Sequence, residues 1–171
     1  MNIKETLATL NQMQADGIIA RYAIGGAVAA NFYLEPSDTK DIDVFVVLNP
    51  PPGRVLVSLD TIHSYLVDTK GVQFSREGFP IIFGWPVQFL PASKPLLREA
   101  LEQSIERSID GVMVRVFTAE HLAAIAFDLG RPKDKRRLDQ FREEKALDPS
   151  KLSEILERHG LLERWLAAKG D

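Results

Sequence analysis

Residues 22–48, YAIGGAVAANFYLEPSDTKDIDVFVVL, constrain the fold more than any other part of the chain. They read as a strand, a glycine turn, a short helix and a second strand that opens with two carboxylates. Asp41 and Asp43 alternate with Ile42, so on a strand both acids point to one face. Carboxylates side by side on a rigid face repel each other unless a cation sits between them, which makes a divalent metal their natural partner. Gly25-Gly26 close the first strand. Without a Cβ, the backbone N–H groups there can approach a phosphate closely, and a helix N-terminus behind them adds a favourable dipole. A phosphate cradle beside a metal-binding carboxylate pair is what phosphoryl or nucleotidyl transfer requires.

The flanking sequence supplies a frame for that stretch. Residues 3–15 place Ile3, Leu7, Leu10 and Met13 or Gln14 at helical spacing, and Asp16-Gly17 stops the helix. Strands are expected at 18–24 and 41–48, with a short helix at 27–34 and a loop at 35–38. The apolar run after Asp43 suits a central strand covered on both faces. Asn49 and the prolines after it, with Gly53, read as a break, and 54–68 as a helix. Residues 72–74 and 79–83 flank a hairpin turn at 75–78. A strand at 85–90 follows, then a helix from about Pro95 to Arg107, then a strand at 112–117. Thr118 is a suitable N-cap for a helix that Gly130 ends. Pro132 suits the first turn of the next helix, and Asp148-Pro149 starts another, which ends at Gly160. A last helix covers 161–168. The architecture expected is α/β (α+β): a mixed sheet over residues 1–117, then a helical C-terminal segment, 118–171, packed on it as one globular unit.

The order Gly25-Gly26, helix, Thr39, Asp41-x-Asp43 resembles the nucleotidyltransferase superfamily of the DNA polymerase beta type. The branch it is most similar to is that of the small bacterial proteins grouped with AbiEii-type toxins. The resemblance spans roughly residues 18–139. It implies a Mg²⁺ held by Asp41 and Asp43, with an NTP as substrate or ligand and Gly25 and Gly26 seating its phosphates. The reaction implied moves a nucleoside monophosphate to a hydroxyl on RNA, protein or a small molecule. In the superfamily a third carboxylate stands on a neighbouring strand, and the matching position here is Gln88. A glutamine can offer a carbonyl to a metal but supplies no charge and cannot act as a base. Glu35 and Asp38 either substitute for it or are solvated loop residues.

A second stretch, TAEHLAAIAFDLGRPKDKRRLD at 118–139, is also similar to relatives. Arg131, Lys133, Lys135, Arg136 and Arg137 cluster there and suit polyphosphate or an RNA backbone, with Arg131, Lys133 and Arg137 the candidates for a nucleotide's phosphates. The bland alternative is a solvated helix face with pairs such as Lys135–Asp139. Ala126 stands where active relatives often carry a lysine. Gln88 and Ala126 together motivate a second reading. On it the scaffold has lost catalysis and binds a nucleotide or an antitoxin-like protein, as in a toxin–antitoxin pair.

Composition narrows the partners. A net charge of −3 and a pI near 5.7 argue against a broad, sequence-independent nucleic-acid surface. There is no cysteine for a disulfide, a thiolate metal site or a nucleophile. The three histidines, 63, 121 and 159, have no ligand spacing. His63 reads as a satisfied or half-exposed core histidine, His121, which could approach the cleft, as a surface or capping residue, Trp85 and Phe89 as core, and Trp165 as packed inward or against a partner. No signal peptide or membrane-spanning run is evident, so a cytoplasmic location is expected. Finally, Arg131 and Lys133 are predicted to border the same cleft as Asp41 and Asp43, because fixed cations offset the repulsion a polyphosphate meets there.

Overall fold

A computed structural model describes residues 1–49 and 58–169. The expected break after Asn49 and the start of the helix expected at 54–68 lie mostly outside these residues. Helix α1, Ile3–Ala15, starts at Asn2, whose side chain accepts the Glu5 N–H at 3.1 Å. Its Leu7, Leu10 and Met13 are fully buried, three positions apart on one face. Strand β1, Ile19–Ile24, leads into the short helix α2, Gly26–Ala30, and strand β2, Ile42–Leu48. Helix α3 is Asp60–Lys70, and strands β3, Gln73–Phe74, and β4, Pro80–Ile82, form the expected hairpin. Strand β5 is Trp85–Pro91 and helix α4 is Pro95–Glu102. Strands β6, Ile105–Ile109, and β7, Val112–Val116, precede four helices: α5, Ala119–Leu129; α6, Pro132–Glu143; α7, Pro149–Arg158; and α8, Leu162–Lys169.

The strands form one mixed sheet in the order β3-β4-β5-β2-β1-β7-β6. Strand β2 is central, antiparallel to β1 and parallel to β5, and Ile42, Val44 and Val46 are buried. The parallel pairing fixes the register: Asp43 lies opposite Gln88, and Phe45 opposite Leu90.

The helix expected to reach Arg107 ends at Glu102, and β6 replaces its last turn. The cause is the turn chemistry downstream. Asp110 and Gly111 have φ of 50° and 81°, the two left-handed residues of a tight hairpin, and Ile109 pairs with Val112. Once β7 is paired with β1, that turn folds the preceding residues back as a strand. Arg115 holds the junction by donating to the hydroxyl (2.9 Å) and carbonyl oxygens of Ser104.

Alanines 123, 124 and 126 are buried, and such small side chains let α5 pack closely on α6 and α7. Trp165 of α8 is buried edge-on to Phe127, ring centroids 5.0 Å apart. Such a pair adds about 0.5–1.5 kcal/mol beyond its burial. No helix among the described residues is long and apolar enough to cross a membrane.

Candidate functional site

One cleft of about 530 Å³ opens between the β2 and β5 face of the sheet and helices α4, α5 and α6. Asp41, just before β2, and Asp43, on it, line the cleft with Gly26, Gln88, Arg131, Lys133 and Arg137. The start of α6 is thus brought to the acid pair from far along the chain.

The two glycines act differently. Gly25 stands behind the cleft wall. Its N–H donates to the Asp43 carbonyl at 2.9 Å, and a Cβ there would overlap the Phe45 ring. That amide is committed to the backbone rather than free for a phosphate. Gly26 borders the cleft with φ of 57°. A Cβ on it would come within 2.8 Å of Asp43 Cγ and overlap its Oδ2. The absence of a side chain at 26 is what lets the Asp43 carboxylate lie flat against this turn.

The charges sort into paired and unpaired groups. Arg131 is tied down: its Nε donates to Asp134 Oδ2 at 2.6 Å and its NH2 group to Oδ1 at 3.2 Å. The buried Asp134 also accepts the Arg131 backbone N–H, so the pair caps α6. That bond holds the Arg131 pKa above its ordinary value. Lys133 and Arg137 form no hydrogen bond or ion pair among the described residues. Arg137 is half-buried, and burial pulls its pKa below the usual guanidinium value despite nearby Asp43. Asp43 is the mirror case. Burial first, then Asp41, pushes its carboxyl above the ordinary aspartate range, while Lys133, Arg137 and Arg131 pull it back. Thr39 Oγ1 donates to the Asp41 carbonyl at 2.9 Å and lies 3.4 Å from its Oδ1.

Asp38 borders the cleft, whereas Glu35 does not line it and bonds through its backbone to Glu144 and Gln140. Ala126 lines the wall and is buried. The surface role expected for His121 does not hold: it is 1% exposed. Its backbone N–H is capped by Thr118 Oγ1. Its Nδ1 meets the same hydroxyl at 2.8 Å, and its Nε2 meets Glu99 Oε1 at 3.2 Å. Glu99 also accepts from Arg158 at 2.6 Å and bonds His159 Nε2 at 2.8 Å. This cluster stitches α4, α5 and α7 together beside the cleft walls. Partners so distant in sequence leave no local signal. Lys40 is another cleft residue not singled out from the sequence, although its place next to Asp41 was a signal.

No protein-family model matches the chain, and no curated protein matches it in sequence. Solved structures do match. An antigenic nucleotidyltransferase-like protein from Paracoccidioides brasiliensis aligns over 95% of this chain and 89% of its own, at 14% identity and a TM-score of 0.51. The antibiotic-resistance factor ANT(2'')-Ia aligns over 98% and 96%, at 18% identity and a TM-score of 0.53. The chain has the nucleotidyltransferase fold. At these identities the likeness is one of fold.

Proposed function

We propose that this protein transfers a nucleoside monophosphate from an NTP to a hydroxyl acceptor in the Asp41/Asp43 cleft. One observation carries the reading: Asp41 and Asp43 share a cleft with Lys133 and Arg137, yet no salt bridge joins them. Opposite charges held in one cleft without meeting suit a ligand that is itself both cationic and anionic, such as a metal–polyphosphate. A half-buried guanidinium without a hydrogen bond or ion pair is costly until an anion reaches it.

The donor set fits magnesium. Two carboxylates and the Gln88 amide carbonyl are all oxygen ligands, the kind a hard cation takes. No group of three His, Cys, Asp or Glu side chains suited to a metal occurs among the described residues. The protein alone is therefore a weak holder, and substrate phosphates complete the shell. Bound there, magnesium would offset charge on the phosphates and the departing pyrophosphate.

The chain's own groups do the positioning. Lys133 and Arg137 hold the β- and γ-phosphates. The acceptor oxygen bonds to the α-phosphorus as the bond to pyrophosphate breaks, and the acceptor proton passes to solvent. No histidine lines the cleft, and Gln88 cannot take the proton. Phosphoryl chemistry tolerates this because positioning and electrostatics dominate it. Titration calorimetry with Mg²⁺ and a non-hydrolysable NTP tests the assignment. Wild type binds at least tenfold more tightly than Asp41→Ala/Asp43→Ala; equal affinities sink it.

Gln88 favours a second reading, in which the cleft binds nucleotide or a protein partner, as in a toxin–antitoxin pair, without turnover. It stands opposite Asp43, where the resemblance places a carboxylate. Here Gln88→Asp creates NTP- and Mg²⁺-dependent labelling of RNA or protein that the wild type lacks. Robust labelling by the wild type removes this alternative.

A further inference from the structure

The cleft has a second, apolar half. Leu90 of β5, Leu97 of α4 and Ile125 of α5 are half-buried along it, and Leu129 at the end of α5 is 46% exposed. Exposed apolar side chains gathered in a concavity mark a ligand contact more than a folding need. Their place is set by the sheet. On one face of β2 and β5 the Asp43–Gln88 pair is followed, two residues on, by Phe45–Leu90. That is one pleat repeat, roughly 7 Å. An atom at the carboxylates is therefore within a few bonds of the apolar wall.

The chemistry of displacement indicates which substrate meets it. Nucleophile and leaving group lie on opposite sides of the phosphorus. The unpaired cations that would hold the leaving pyrophosphate come from α6, so the attacking hydroxyl enters from elsewhere. Strand β5 and helices α4 and α5 carry none of those cations and supply Leu90, Leu97, Ile125 and Leu129. Charge narrows the choice further. Among the cleft acids, Asp134 is committed to Arg131 and Asp128 lies 3.7 Å from Lys94. Asp38 alone then remains beyond the metal pair, against Lys40, Lys133 and Arg137. A polycationic acceptor finds no row of free acids here. We infer that the acceptor is a hydroxyl compound with an uncharged, apolar body, seated on Leu90, Leu97, Ile125 and Leu129. This inference rests on the transfer reading above.

Primary alcohols from 1-butanol to 1-octanol are direct probes of the wall. Methyl NMR of the full-length protein reads their binding at Ile125 and Leu129, with and without Mg²⁺ and a non-hydrolysable ATP analogue. Affinity is expected to rise about three- to fourfold per methylene, without competition from the nucleotide. In Leu129→Asn, a half-exposed site where folding survives, the gradient flattens while the nucleotide dissociation constant moves less than twofold. Three results overturn the inference: no dependence on chain length, competition between alcohol and nucleotide, or tighter binding of a polycationic amino alcohol than of octanol. Competition would give the wall to the nucleobase. If instead the alcohols behave as expected and Asp41→Ala/Asp43→Ala leaves nucleotide affinity unchanged, the transfer reading fails and the wall survives as a binding site alone.

Discussion

Gly26→Ala isolates the contact that positions Asp43. Gly26 has φ of 57°, and a Cβ there overlaps the Asp43 carboxylate. The left-handed backbone costs an alanine about 1–2 kcal/mol. At this chain length that is a fall in Tm of roughly 2–8 °C. Gly17→Ala is the control. Its φ is 74°, and nothing lies within 4 Å of the added Cβ. Both variants should melt earlier, Gly26→Ala by at least as much as Gly17→Ala because its Cβ must also displace Asp43. Only Gly26→Ala displaces the carboxylate, and displacing a metal ligand's support lowers affinity about 10–100-fold. Circular dichroism melts and calorimetry with Mg²⁺ and a non-hydrolysable NTP supply the two readouts. If Gly26→Ala binds nucleotide like wild type, or Gly17→Ala loses binding equally, the packing argument is wrong.

Two further outcomes follow from the charges. Arg137→Met removes a half-buried guanidinium that makes no hydrogen bond or ion pair among the described residues, so Tm should stay level or rise. Nucleotide affinity should fall at least tenfold, since a hydrogen bond to a charged group contributes about 1.5–3 kcal/mol; a lower Tm with unchanged affinity would assign Arg137 to the fold. Glu99 governs acid stability. Hydrogen bonds, first from Arg158 and then from the two histidines, hold its carboxyl at about 2 against an ordinary 4.5. A carboxyl lowered by folding stabilises fully above pH 4.5, and that stability is lost as pH falls toward 2. The shift corresponds to about 3 kcal/mol. Burial also lowers the His121 pKa, so an earlier loss begins as pH drops below the ordinary 6.5. Urea unfolding across pH should show Glu99→Gln with a flatter dependence between 4.5 and 2; parallel curves would contradict the assignment.

What the sequence made legible was local. Gly25-Gly26 and Asp41-x-Asp43 lie within one strand–helix–strand unit, so their spacing carried most of the geometry. Gln88 was reachable because β5 follows β2 in the order the resemblance implied, and the register sets it against Asp43. The left-handed caps at Gly130 and the proline at the start of α6 also read directly. Side-chain competition was less visible. Arg131 looked free for phosphate, but Asp134, three residues on, holds it. The Glu99 cluster joins residues 22 and 60 apart in sequence, which only packing of α4, α5 and α7 reveals. Strand β6 was hidden by a helical pattern that ran on through Arg107. The signal against it, Asp110-Gly111 flanked by Ile109 and Val112, was present and outweighs local helix propensity.

In the proposed function, one cleft joins metal-binding carboxylates to polyphosphate-binding cations. A crystal soaked with Mg²⁺ and a non-hydrolysable NTP tests it most directly. A metal is expected about 2.0–2.1 Å from oxygens of Asp41 and Asp43, with β- and γ-phosphate oxygens within hydrogen-bond reach of Lys133 and Arg137. Density for the nucleotide elsewhere, for example in the cavity lined by Arg21 and Arg115, or a triphosphate that leaves Asp41 and Asp43 without a metal, would contradict it.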